Sequence, residues 1–164
     1  MALKQIKNKI ISTKKTGKVT KAMEAVSAVK MRKSQARAFD SRPYVHAAMR
    51  ILSRLSQAGD VTSHPLAQAR TSERKLVVMV TSDKGLAGSV NSAIIKQVET
   101  MLRAGEQFAV IAIGRKAVEF AERNNLTILG RFTNVSDDVV VADVAEMVAE
   151  VMSAFTTDTT YSKV

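Results

Sequence analysis

Between Leu3 and Phe39 the chain carries no proline and a single glycine, Gly17, and a stretch that long without backbone breakers can be covered by one helix. Along it, apolar or small residues recur at Leu3, Ile6, Ile10, Thr13, Gly17 and Thr20, the alternating three-and-four spacing of a coiled-coil seam. The stripe then slips and continues through Met23, Val26 and either Val29 or Lys30, with Ala22, Ala25, Ser27 and Ala28 around it. Small side chains there let another backbone come close. Pro43 has no N–H and clashes with the preceding turn, so the helix either kinks there or restarts with Asp40 or Ser41 as cap. The kink is favoured, because Val45, Ala48, Met49, Leu52 and Leu55 keep helical spacing up to Ala58-Gly59-Asp60. An arm ending near Gln57 is ~80 Å long at ~1.5 Å per residue, so it is expected to project from the body.

Charge separates the arm from the rest. Residues 1–54 hold 14 Lys or Arg against only Glu24 and Asp40, while the remainder holds 11 basic and 13 acidic groups, and the whole chain carries +10. Such asymmetry directs the arm toward acidic partners, whether protein, nucleic acid or anionic lipid. Duplex or single-stranded nucleic acid is disfavoured: residues 1–38 contain no aromatic for base stacking, and the basic groups do not confine themselves to one helix face. The small-residue stripe favours packing against protein. A solvated charged face accounts for many of the lysines without any partner.

Residues 58–74 read as a polar linker containing Pro65, and residues 75–164 as an α/β domain. The expected elements are a strand at Lys75–Thr81, a loop at Ser82–Gly88, a helix at Val90–Ala104, a strand at Gln107–Ile113 and a helix at Arg115–Asn125. A short strand at Thr127–Phe132 and a helix at Val140–Phe155 follow. The runs LVVMV and FAVIAI are too continuous for half-exposed strands and predict a parallel, Rossmann-like sheet covered on both faces. Thr156 to Val164 reads as a turn entering a further strand, so the domain is expected to be incomplete at its C-terminal end.

Candidate chemistry is sparse. The chain has no cysteine, which removes disulfides, thiol catalysis and cysteine-held metals. A composition 46% hydrophobic and 24% charged is that of a soluble, folded protein. No export signal is recognisable at the N-terminus, and no run approaches the ~18 apolar residues of a membrane span. The loop Thr81-Ser82-Asp83-Lys84-Gly85-Leu86-Ala87-Gly88-Ser89-Val90-Asn91 sits where α/β folds bind ligands. It matches neither GxGxxG nor GxxxxGK[ST], and its lysine precedes the glycines. The simpler expectation is that Gly85 and Gly88 turn the chain and Ser89 caps the next helix. His46 and His64 are too isolated to hold a metal. Asp83 and Lys84 form an acid/base pair only in principle, with no activated nucleophile or oriented base beside them. No residue is therefore nominated as catalytic, cofactor-binding or metal-ligating, and a nucleotide-dependent enzyme on the Rossmann-like domain remains the weaker alternative.

The segment from Val19 to Gln35, VTKAMEAVSAVKMRKSQ, closely resembles the N-terminal helix signature of the gamma subunit of F-type ATP synthases. Ser41-Arg42-Pro43-Tyr44, His64-Pro65-Leu66 and the loop from Thr81 to Asn91 agree in order, the last being similar to that family's TSDRGLCGGFN. Lys84 stands for the usual Arg, Ala87 for a frequent Cys, and Ser89-Val90 for Gly-Phe, changes of local packing. The resemblance implies a non-catalytic rotor subunit. Its N-terminal helix pairs with a C-terminal helix as an antiparallel coiled coil inside the ring of alpha and beta subunits. Its α/β domain stands with epsilon beside the membrane c-ring, at the cytoplasmic face of a bacterial inner membrane. Proton or sodium flow through that ring then drives conformational change and ATP synthesis or hydrolysis at the beta subunits. It further implies that Lys21, Met23, Lys30, Arg32 and Lys33 face or flank acidic segments of beta, with no nucleic acid, cofactor or membrane span of the chain's own. Since family members continue through a further strand and a long C-terminal helix, the chain is expected to be a fragment or a truncated product.

Overall fold

The computed structural model describes residues 2–57, 64–136 and 139–164. Its contacts divide the chain into two units, residues 1–57 and 58–164. The first unit is one helix, α1 (Ala2–Gln57), 56 residues long and uninterrupted at Pro43. The proline therefore removes one donor from the ladder without restarting the helix, and the restart alternative at Asp40 or Ser41 is not adopted. The Ser41 hydroxyl instead donates back to the Ala38 carbonyl at 3.0 Å, and the Arg42 guanidinium lies 4.6 Å from the centre of the Phe39 ring. Ala58-Gly59-Asp60, the expected stop, lies outside the described residues.

The second unit is α/β. In chain order it comprises β1 (Arg74–Val80), α2 (Val90–Arg103), β2 (Phe108–Ile113), α3 (Arg115–Arg123), β3 (Thr127–Phe132), α4 (Val141–Thr157) and β4 (Tyr161–Lys163). The strands form one sheet in the order β3-β2-β1-β4, and every pairing is parallel. The polar end of the chain does enter a strand: β4 pairs with β1 beside Arg74 and Lys75.

The continuous apolar runs are explained by two cores, one on each face. Met79, Val110 and Ala112 point to one side and pack with Val98 of α2 and with Ala117 and Phe120 of α3. Leu76, Ala109 and Ile111 point to the other and pack with Phe155 of α4 and Tyr161 of β4. Five of the six residues of β2 are consequently buried, as expected of a central parallel strand. Gly130 of β3 lies under α4, where an added Cβ would stand 3.2 Å from the Glu150 side chain and 3.4 Å from Ile111. The ladder also shifts register there, between Val110 and Ile111.

Arg70 joins the start of this unit to its end. Its Nη1 donates to the carbonyls of Phe155 at 2.8 Å, Tyr161 at 2.9 Å and Asp158 at 3.2 Å. The guanidinium also lies 4.0 Å from the centre of the Phe155 ring. Phe155 lies in the last turn of α4 and Asp158 is its C-cap, so a permanent cation on their carbonyls complements the helix dipole and occupies acceptors that the helix leaves open.

Candidate functional site

Two surfaces concentrate the residues singled out in the sequence: the flank of α1 and the loop between β1 and α2. On α1 every described side chain from Leu3 to Gln57 is exposed except Ala28, Ala47 and Ala48, which are half-buried. The seam residues are open, with Leu3 82%, Ile6 56% and Ile10 52% exposed. Thr13 and Thr20 donate their hydroxyls to the carbonyls of Lys9 and Thr16, each at 2.9 Å. That internal bonding spends their polarity within the helix, so both can sit in an apolar seam. Gly17 lies in open space, where an added Cβ would meet nothing within 4 Å.

The five residues nominated for a partner do not share one face. At roughly 100° per residue, Lys21 and Arg32 fall on one side of α1. Met23 and Lys30 fall nearly opposite, and Lys33 lies between. Lys21, Met23, Lys30, Arg32 and Lys33 are all exposed.

The loop after β1 is a capping device for α3. Asp83 Oδ1 accepts the Arg115 amide at 2.9 Å, and Thr81 Oγ1 accepts the Ala117 amide at 2.8 Å. The Ser82 carbonyl accepts the amide of Lys116 at 3.3 Å. Three of the orphan donors that begin any helix are thereby satisfied from a neighbouring segment. Asn91 fixes the loop from below: its Oδ1 accepts the Ser82 amide at 3.0 Å, and its Nδ2 donates to Ser82 Oγ at 2.8 Å. Gly114 makes the close approach possible. It has φ +92°, and an added Cβ would lie 2.1 Å from the Thr81 carbonyl oxygen.

These bonds determine what the cleft beside the loop can do. Its volume is about 620 Å³, and it is lined by Thr81 to Lys84, by Gly114 and Arg115, and by Asn134 to Ser136. In a phosphate site the helix amides would point at the ligand, whereas here Arg115, Lys116 and Ala117 donate to the loop. Asp83, one half of the acid/base pair considered from sequence, serves as a cap. Arg115 itself is turned to Asn134 Oδ1 at 3.0 Å. The expected cap at Ser89 is corrected: Ser89 occupies the N-cap position of α2 but its side chain makes no capping bond. Gly88 is left-handed at φ +59°, as a turn glycine should be, and Leu86 shares that region at φ +61°. The Leu86 side chain is fully exposed.

Some of these roles were hidden in the sequence. The Thr-Ser-Asp run after a strand has the chemistry of a cap, but the helix it caps begins 32 residues after Asp83, beyond the reach of a local pattern. Arg70 carried no signal, since all four of its acceptors are backbone carbonyls and three of them lie 85 to 91 residues away. His64, one of the two histidines set aside, accepts the Leu66 amide at its Nδ1 at 3.2 Å and so belongs to a turn.

A long exposed basic helix and an α/β unit with a four-stranded parallel sheet define the architecture of the described residues. The family model for ATP synthase matches residues 2–164. The chain is 37% identical over 158 residues to the ATP synthase gamma chain of Geobacter metallireducens, covering 94% of this chain and 55% of that one. It is 33% identical over 153 residues to the ATP synthase gamma chain of Heliobacterium modesticaldum, covering 93% and 53%. The chain belongs to the ATP synthase gamma family. It spans about half the length of the curated relatives it matches. Among the described residues, no helix is long and apolar enough to cross a membrane.

Proposed function

We propose that the chain serves in the central stalk of an ATP synthase, as the part of the rotor that carries the N-terminal shaft helix and the α/β domain. The observation that carries this reading is α1, a 56-residue helix whose apolar seam is exposed along its length. An open seam at three-and-four spacing asks for a second helix. The family resemblance supplies one from the C-terminal half of such proteins. In this role the chain performs no chemistry. It transmits rotation driven by proton or sodium flow through a membrane c-ring, while alpha and beta subunits surround the shaft and epsilon meets the α/β domain. It is thereby a peripheral component at the cytoplasmic face of a bacterial inner membrane. The distribution of Lys21, Met23, Lys30, Arg32 and Lys33 around α1 suits a shaft contacted from several sides, with acidic segments of beta opposite the cations.

The test is made in the assembled complex with the changes Lys30→Glu, Arg32→Glu and Lys33→Glu together. The expected result is retained co-purification with alpha and beta but a clear loss of ATP synthesis at a fixed ion gradient. Unchanged synthesis refutes the proposed contact, and failure of the unsubstituted chain to co-purify with alpha and beta refutes the stalk role.

A further inference from the structure

Two arginines fasten the stretch that leads into β1 to the far end of the α/β unit. Arg70 holds its guanidinium 4.0 Å from the centre of the Phe155 ring, and Arg74 holds its own 4.9 Å from the centre of the Tyr161 ring. Both rings are set in the second core, with Phe155 6% and Tyr161 2% exposed. Arg70 adds its bonds to the Phe155, Asp158 and Tyr161 carbonyls, and its Nη2 reaches back to the Pro65 carbonyl at a longer 3.5 Å. One guanidinium thereby gathers the corner between α4 and β4 together with the linker's own turn, in which the Ala67 amide donates to the His64 carbonyl at 2.8 Å. At Arg74 the ladder between β1 and β4 shifts register, from Arg74 opposite Tyr161 to Lys75 opposite Lys163. Ser162 is passed over in that ladder, and its hydroxyl donates to the Arg74 carbonyl at 3.1 Å. The Arg74 amide donates to Ser72 Oγ, also at 3.1 Å, which shapes the residues between the two arginines.

We infer that Arg70 and Arg74 form a clasp that fixes the direction in which the linker enters the α/β unit, so that rotation of the shaft reaches this unit without slack. A chain attached at one point pivots about it, whereas attachment at two points fixes its direction as well. One point is the start of β1, held in the sheet at Arg74. The other is Arg70, earlier in the chain, anchored to a corner whose aromatic residues are themselves buried. Arginine suits both places, because its planar cation stacks on a ring face while its edge donates to carbonyls, and a lysine ammonium does not combine the two. The inference rests on the stalk reading and adds to it the place where the linker is gripped.

The test is made in the assembled complex, well below the melting temperature of the unit, by measuring ATP hydrolysis and the ion pumping it drives side by side. Arg70→Ala should keep hydrolysis near the parent rate while fewer ions are pumped per ATP hydrolysed, and Arg70→Ala with Arg74→Ala should lose more. Arg70→Lys should recover only part of the pumping, since its ammonium cannot stack and bridge together. Val98→Ala is the control: it removes buried methyl groups from the other core and so lowers the melting of the same unit, yet it should leave the ions pumped per ATP unchanged. Unaltered pumping per ATP in the double arginine variant overturns the inference, and so does an equal loss in Val98→Ala. The isolated full chain gives a second readout that needs no assembly. Hydrogen exchange at the Lys75 amide, which donates to the Gln107 carbonyl at 3.0 Å, should accelerate more in Arg70→Ala than in Val98→Ala, because release of the clasp opens the linker end locally. Equal acceleration overturns the clasp whatever becomes of the stalk reading, whereas a parent chain that fails to co-purify with alpha and beta refutes the stalk reading alone.

Discussion

Replacing Arg70 by alanine should destabilise the α/β unit by about 2 kcal/mol, although Arg70 precedes every strand. Nη1 carries two hydrogens, so its three carbonyl contacts amount to two full hydrogen bonds with one shared. Bonds from a charged donor contribute about 1.5–3 kcal/mol each, and the cation over the Phe155 ring adds about 0.5–1 kcal/mol at a half-exposed site. Holding the arginine in one conformation costs about 2 kcal/mol in side-chain entropy. Taking the lower bond values for a group that is only half-buried leaves about 2 kcal/mol net. For a unit on the order of 100 residues that lowers the melting temperature by about 8 °C. Calorimetric melting of the full chain reads this directly, since the unit has its own cores. Arg70→Lys keeps the charge but loses the planar group that both stacks on Phe155 and reaches several carbonyls, so it should recover less than half of the loss. An Arg70→Ala chain melting within about 2 °C of the parent would refute the clasp. A lysine variant equal to the parent would show that charge alone matters.

Further expectations follow from the loop and from the surface carboxylates. Gly114→Ala should cost at least about 3 kcal/mol, because it combines backbone strain at φ +92° with a Cβ 2.1 Å from the Thr81 carbonyl; urea unfolding of the variant measures it, and a loss below 1 kcal/mol would contradict the geometry. Asp83→Ala removes a cap from α3 and should cost about 1 kcal/mol, with amide exchange accelerated first at Arg115; unchanged exchange there would assign the cap elsewhere. Asp158 is held below the usual aspartate range by hydrogen bonds from Thr160 and then by Arg74 and Arg70. Because its folded value is depressed, its stabilisation is complete above the unfolded value of about 3.9 and is lost as pH falls through the folded value, so Asp158→Asn should flatten the acid side of the stability profile. In hydrogen exchange on the isolated chain, amides of residues 3–20 should exchange at least about 100-fold faster than those of Val110 and Ile111, because an unpartnered helix relies on local propensity while β2 is buried on both faces. Equal protection would show that the arm is stable without a partner.

Much of the fold was determined by the sequence itself, because its signals are local. The absence of breakers from Leu3 to Phe39, the three-and-four spacing, and the runs LVVMV and FAVIAI each act within one element. The helix, the strands and the two-sided burial of β2 follow from them. Thr127–Phe132 is a strand with the expected limits, and the other expected elements end within about two residues of their predicted bounds. The family, too, was legible, because motifs in order along the chain do not depend on knowing what they touch. The tertiary structure alone decided which partner each polar group takes. Asn91 ties down the loop in place of a Ser89 cap, and Asp83 caps a helix 32 residues away. Arg70 reaches the far end of the domain. Hydrogen bonds to backbone carbonyls and amides leave almost no imprint on residue type at the acceptor, since every residue carries the same groups. A sequence therefore announces hydrophobic faces, which need particular side chains, well before it announces the long-range polar contacts that fasten them together.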